Sequence, residues 1–389
     1  MLHRGAGWLA DRRQLPGSVR AVAGYYADAG VFDYRSILLK RRVDDVVDGM
    51  VDRMFADISR AIADEFGYDD VTFGYDTKLV LPAKLTLGHL YRQLDESNHL
   101  RAEEMTRLAV EALVDGDMQD ALNDREFDDF EVDVAVSERE RWEIARIAQE
   151  RIQRRVKRQL AEFPDAVQDT YEWAVDVSNA HQDRDEWFRE LMAAAQRGED
   201  VTEQLESEYK HAEFEELPKL FTDAEQSLPY LKTQYDRVGI LYDAMIDMYR
   251  ESGLPVGRSF QRSIVLAIIG AQIWLDDIDD FEQDIRAGQL TPVTAEYLLA
   301  SDGQDPRGAV NDIGRRYLDR AQQEAAAADS ALTGIAIEYI IRSGNPESLP
   351  PAIEIRSDSA SATGDDPSTG RPGGPSGGTN SISSAETEG

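Results

Sequence analysis

An all-α fold is predicted by three features of this 389-residue sequence. Apolar residues recur at helical spacing from about Ser18 to about Arg342, and alternating β-branched runs are almost absent. An uncharged stretch over residues 263–275 stands in a chain of which 30% is charged, and only a buried helix suits both its length and its composition.

The elements follow in order. A long amphipathic helix is expected over Tyr34–Phe66, where Val43, Val47, Met50, Met54 and Ile58 form one stripe and Asp44, Asp48 and Asp52 lie on another face. Residues 67–81 carry Val71-Thr72-Phe73-Gly74-Tyr75 and read as a loop or a small hairpin. Helical pattern returns over 85–113. The Asp-dense stretch 115–133, broken by Gly116 and Asn123, reads as a loop. Helices are expected over 137–162 and 166–196, then an acidic linker over 198–216. A single helical domain thus spans 1–355. The Ser-, Gly- and Thr-rich segment 356–389 has almost no large apolar residue with which to offset its ordering entropy, so a disordered tail is expected there.

Composition narrows the function classes. With 75 acidic against 42 basic residues the formal charge is -33. Such a surface repels nucleic-acid phosphates and anionic lipid headgroups, and it suits a salt-rich cytoplasm, where dense carboxylates keep a protein hydrated. The absence of cysteine removes disulfides and thiolate chemistry. The five histidines show no zinc spacing. No apolar run approaches the roughly 20 residues of a membrane span, so a soluble cytoplasmic protein is expected, with no stable membrane insertion.

Chemistry gathers at the end of the uncharged helix. Asp276, Asp280 and Asp284 fall at i, i+4 and i+8, with Asp277 adjacent to Asp280 at i+3. Like charges stacked in this way repel, and a hard divalent cation relieves them. Oxygen ligands without His or Cys suit Mg²⁺ better than Zn²⁺. The alternative is a solvated face on an acidic protein.

The surroundings point further. Lys232-Thr233 opens a helix running to about Glu251, and Gln272 stands just ahead of the aspartates. The sequel Asp284-Ile285-Arg286-Ala287-Gly288-Gln289-Leu290-Thr291-Pro292 follows. Together these resemble the trans-isoprenyl diphosphate synthase family, whose usual pattern is a Lys-Thr pair, then Gln-x-x-Asp-Asp-x-x-Asp, then Asp-x-x-x-Gly-Lys-x-Thr-x-Pro. Arg315 to Ala321 and Ala336 to Ile341 are similar to that family's last two helices. The likeness covers roughly residues 230–343. Gln272 sits one residue further from the first aspartate than usual, and Gln289 replaces the usual Lys.

The resemblance implies an isoprenoid-synthase helical bundle, a homodimer, and Mg²⁺ held by Asp276, Asp277, Asp280 and Asp284 against the diphosphate of an allylic isoprenoid. It gives Lys232, Thr233 and Gln272 to the diphosphate. It also implies a second aspartate-rich motif earlier in the chain, for which Asp128, Asp129 and Asp133 or Asp44, Asp45 and Asp48 are the candidates; Asp95-Glu96 and Glu172 with Asp176 are weaker. Ile268, Ile269 and Trp274 are candidates for pocket lining, against a plain core role. The expected reaction is elongation of the allylic diphosphate with isopentenyl diphosphate. The alternatives are a class I terpene cyclase, a non-catalytic helical homologue acting as a subunit, and an unrelated helical scaffold.

Overall fold

The computed structural model describes residues 34–75, 78–124, 130–301 and 304–351, and these are predominantly helical. The expected tail over 356–389 lies outside the described residues.

The first helix, α1, is Tyr34–Phe66, with its stripe residues Val47, Met54 and Ile58 fully buried. The expected helix over 85–113 is two: α2 (Leu81–Gln93) and α3 (His99–Asp124), separated by a break in which Leu94 turns extended and Glu96–Asn98 forms a short 3-10 turn. α3 also corrects the loop expected from residue 115. It runs to Asp124 because Val114 and Met118 are fully buried on its inner side, which outweighs the weak helix propensity of Gly116. Among the described residues of 67–81 no strand pairs locally. Phe73–Gly74 (β1) pairs antiparallel with Glu131–Val132 (β2), and Thr72 N–H donates to Asp133 Oδ1 at 2.9 Å.

Helix α4 (Glu138–Leu160) starts where its sequence says it should. Ser137 accepts from Glu140 N–H at 3.3 Å while the Glu140 carboxylate accepts from Ser137 N–H at 2.9 Å, a capping box. Helix α5 is Asp165–Gln196. The expected linker over 198–216 is partly ordered: α6 (Thr202–Gln204) runs into a π-helical turn, Leu205–Lys210, because Leu205 and Tyr209 are both buried.

The chain next passes through Tyr230, whose φ of 64° is left-handed, a costly conformation for a bulky residue. Tyr230 is held there by a hydrogen bond from its hydroxyl to Glu296 at 2.7 Å, and Lys210 reaches the same carboxylate at 2.9 Å. Then follow α7 (Leu231–Gln234), a π turn at Tyr235–Gly239 and α8 (Ile240–Glu251). Helix α9 is Arg258–Ala271, uncharged after Arg262, and is continued by a π turn at Gln272–Asp276 and by α10 (Asp277–Asp279). After Asp280 come α11 (Phe281–Ala287), closed by left-handed Gly288, and α12 (Pro292–Leu299). Two longer helices finish the bundle, α13 (Arg307–Ala327) and α14 (Ala331–Ser343).

Two apolar clusters fill the interior. One gathers α1 to α4 with Met245, Ile246 and Tyr249 of α8; the other gathers α12 to α14 with Phe188, Tyr209 and Tyr235. Helix α9 belongs to both, giving Phe260 and Ile264 to the first and Val265, Ile269 and Ile273 to the second. That shared position explains its lack of charge: no face of it meets water for long. Among the described residues no helix is long and apolar enough to cross a membrane.

Candidate functional site

Of the five aspartates after α9, Asp279 is exposed and the four predicted ligands divide into two pairs. Asp276 and Asp280 are exposed, whereas Asp277 is 2% and Asp284 8% exposed. Their main chain keeps helical order, with Asp280 N–H donating to Asp276 O and Asp284 N–H to Asp280 O, both at 2.8 Å. The π turn sets their direction. Its wider winding takes in one extra residue, so Gln272 stands one turn before Asp277 and donates to its Oδ1 at 3.2 Å.

The inward pair faces Arg237. Its Nη1 lies 3.8 Å from Asp277 Oδ1, too long for a hydrogen bond. Neither Arg237 Nη1 nor Asp277 Oδ2 has a hydrogen-bond partner, although both atoms are buried. Burial pushes Asp277 up to about 7, with Asp284 and Asp276 adding to the shift and Arg237 and Gln272 opposing it. Burial likewise raises Asp284 to about 6, against Arg237. Burial works against the charge on Arg237, yet Asp277, Tyr209, Asp185 and Asp284 together hold its pKa above the ordinary value. Three π turns therefore converge: Tyr209 belongs to the first, Arg237 to the second, and Asp277 follows the third. π turns of this kind occur frequently at functional sites.

Asp276, of the outward pair, acts on another helix. Tyr242 on α8 is half-buried, and its hydroxyl pKa is raised first by burial and then by the charges of Asp117 and Asp276. Asp117 lies on α3, exposed, with Asp120 exposed one turn further on. Tyr75 donates its hydroxyl proton to Asp117. Asp117 and Asp276 thus both act on Tyr242, and the end of α3 that carries Asp117 is a segment that sequence reading assigned to a loop. A signal was present: Leu113-Val114-Asp115-Gly116-Asp117-Met118-Gln119-Asp120 repeats the order of core followed by carboxylates seen at Trp274-Leu275-Asp276-Asp277. Gly116 concealed it.

The earlier candidates stand elsewhere. Asp44 and Asp48 pair with Lys84 at 3.5 and 2.6 Å on the outside of α1, and Asp45 shares that helix. Asp133 closes the β1 loop, while Asp128 and Asp129 lie outside the described residues. Glu172, Asp176, Asp95 and Glu96 are exposed.

Lys232 and Thr233 line a separate cleft of about 820 Å³ with Trp173, Trp187, Phe188 and Asp236, and none of the four aspartates is among its described walls. Lys232 Nζ donates to Asp236 at 2.7 Å. The Thr233 hydroxyl is 3.2 Å from the carbonyls of both Tyr209 and Tyr230, so its proton serves the main chain. Of the pocket-lining candidates, Ile269 is fully buried in the second core and Trp274 donates its indole proton to Ile341 O at 3.2 Å. Ile268 alone of the three is part-exposed, on the helix side that leads to Gln272.

Exposed carboxylates without His or Cys fit a hard cation such as Mg²⁺. Among the described residues no three metal-binding side chains form a cage by themselves. Mg²⁺ does not require one, since it is usually held by one or two carboxylates completed by water and substrate phosphate. No family model, curated protein or solved structure matches the chain.

Proposed function

We propose that the protein is a Mg²⁺-dependent enzyme of the trans-isoprenyl diphosphate synthase kind, which ionises an allylic diphosphate and extends it with isopentenyl diphosphate. One observation carries this reading. Two helical segments from distant parts of the chain, α3 and the continuation of α9, run into exposed carboxylates, and the charges of Asp117 and Asp276 both raise the hydroxyl pKa of Tyr242. An acidic surface alone gives carboxylates everywhere. It does not by itself bring Asp117 and Asp276, far apart in the chain, to one tyrosine.

In this reading Asp117 and Asp120 from one side and Asp276 and Asp280 from the other hold the cation. When bound, it neutralises the diphosphate as that group leaves. Gln272, by donating to Asp277, fixes the turn from which Asp276 projects. Ile268 and the ring of Tyr242, both half-buried, flank the space beside the carboxylates and keep water from the allylic cation. Lys232 reaches a diphosphate only by exchanging its bond with Asp236.

The test uses the purified full chain in high salt with Mg²⁺ and geranyl or farnesyl diphosphate, with and without isopentenyl diphosphate. Elongated diphosphates are expected, and Asp117→Ala and Asp276→Ala should each lower kcat by about 10²- to 10³-fold, the usual cost of removing a charge-stabilising group from such a site. Hydrocarbons or terpene alcohols formed without the second substrate would instead identify a cyclase. Absence of turnover in the unmodified chain would leave a non-catalytic subunit or scaffold.

A further inference from the structure

The reaction as read above leaves Arg237 unused, yet its surroundings are unusual. The π turn Tyr235–Gly239 carries it inward, so that Nη1 is buried while the side chain as a whole keeps 24% exposure. Carboxylates from three helices surround it: Asp185 of α5, Asp277 of α10 and Asp284 of α11. Tyr209 closes the group from the first π turn and donates its own hydroxyl proton to Leu290 O at 2.9 Å.

Five aspartates within little more than two helical turns repel one another, and the side chains lower that repulsion by pointing apart. Left to solvent, all five would turn outward. Here two point inward, although burial opposes their charge, and the group that compensates them is the Arg237 guanidinium. We propose that Arg237 is a positioning residue of the candidate site: the inward counter-ion that keeps Asp277 and Asp284 inside the bundle and so directs Asp276 and Asp280 outward, toward Asp117. This inference rests on the reading of that site given above. Without the guanidinium, Asp277 loses the partner that holds it inward: it takes up a proton or, where charged, is drawn toward water. Its helix rotates with it, and Asp276 leaves its place opposite α3.

The test measures cation affinity rather than turnover. The full chain is titrated with Mn²⁺ in the presence of inorganic pyrophosphate, by calorimetry, as wild type, Arg237→Met, Asp277→Asn and the double variant. Arg237→Met should weaken Mn²⁺ binding by about 10- to 100-fold, the range seen when a residue supporting a metal ligand is removed. Asp277→Asn alone, whose amide oxygen still accepts from Gln272, should bind more tightly than Arg237→Met. Adding Asp277→Asn to Arg237→Met removes the uncompensated charge and should restore most of the affinity, which a merely structural loss would not do. If Arg237→Met fails to fold by circular dichroism, Arg237→Lys and the double variant carry the same comparison. Unchanged affinity in a folded Arg237→Met or Arg237→Lys protein, or a loss that Asp277→Asn does not repair, overturns the proposal while leaving the site reading intact. A wild type that binds no Mn²⁺ overturns the site reading and this inference together.

Discussion

A Cβ added to Gly344 would fall inside the indole of Trp274, and one added to Gly314 would stand 2.6 Å from the same ring. Trp274 is 4% exposed and tied to Ile341 O, so it cannot step aside cheaply. Gly344→Ala should therefore lower stability by about 1–3 kcal/mol in urea titrations. Gly314→Ala should cost less, because alanine in the middle of α13 recovers roughly 0.5–1 kcal/mol of helix propensity. Equal losses would show that the ring moves freely. A second residue-scale test concerns Glu225, which is 1% exposed and accepts from Arg262 at 2.5 Å, Arg320 at 3.1 Å and Thr222 N–H at 2.8 Å. Truncation to alanine leaves Arg262 with Glu324 alone at 3.2 Å and removes these three hydrogen bonds, and should cost about 1–3 kcal/mol, again read from urea unfolding. Side chains of this kind were hard to read in advance. The sequence shows Asp276, Asp277, Asp280 and Asp284 as one stack, but which pair turns inward depends on Arg237, contributed by a different helix.

The elements themselves were legible where pattern and caps agreed. Tyr34–Phe66 is the span its stripe predicts, and Ser137 with Glu140 marks the start of α4. What the pattern hid were irregularities absorbed by packing: α3 continuing past Gly116, the break between α2 and α3, and the π turns. A π turn is an α-helix with one residue too many, so the Gln272–Asp276 turn makes a sharp prediction. Deleting Leu275 should relax that turn to ordinary helix and leave Gln272 one turn from Asp277, with the flanking side chains in register. The protein should stay folded, with nearly unchanged helical circular dichroism. Deleting Ile268 from regular α9 instead rotates one end of the helix by about 100° and moves its apolar face off both cores. That variant should unfold or aggregate. If the two deletions behave alike, the extra residue does not reside in the turn.

At the scale of the whole molecule, charge and burial act together on pH dependence. Burial raises Asp115 and Asp243 each to about 6; Gln149 and Tyr171 oppose the shift at Asp115, and Tyr235 and Gln261 oppose it at Asp243. An acid whose folded pKa lies above its unfolded value binds more protons when folded. Its stabilising contribution is fully present below the unfolded pKa, near 4, and is lost as pH rises through about 6. Two units correspond to about 3 kcal/mol per group at most. Glu225 and Asp57 work the other way, since their folded pKa values are lowered: burial opposes the shift at Glu225 but Thr222 and Arg262 outweigh it, and Arg151 dominates at Asp57. Their contribution is kept above the ordinary carboxylate range and lost only below it, so it changes little between about pH 7.5 and 5.5. The net charge of -33 adds repulsion that protonation relieves in the same direction as Asp115 and Asp243. His89, lowered by burial to about 4, opposes this as pH falls below about 6.5. Asp277 and Asp284, raised by burial, act with Asp115 and Asp243, so the melting temperature should rise, not fall, as pH is lowered from about 7.5 to 5.5 at fixed ionic strength. Asp243→Asn, which keeps an acceptor for the Tyr235 hydroxyl, should flatten part of that slope, whereas the exposed Asp48→Asn should leave it nearly unchanged. A slope that Asp243→Asn leaves untouched would show that Asp243 does not contribute to it.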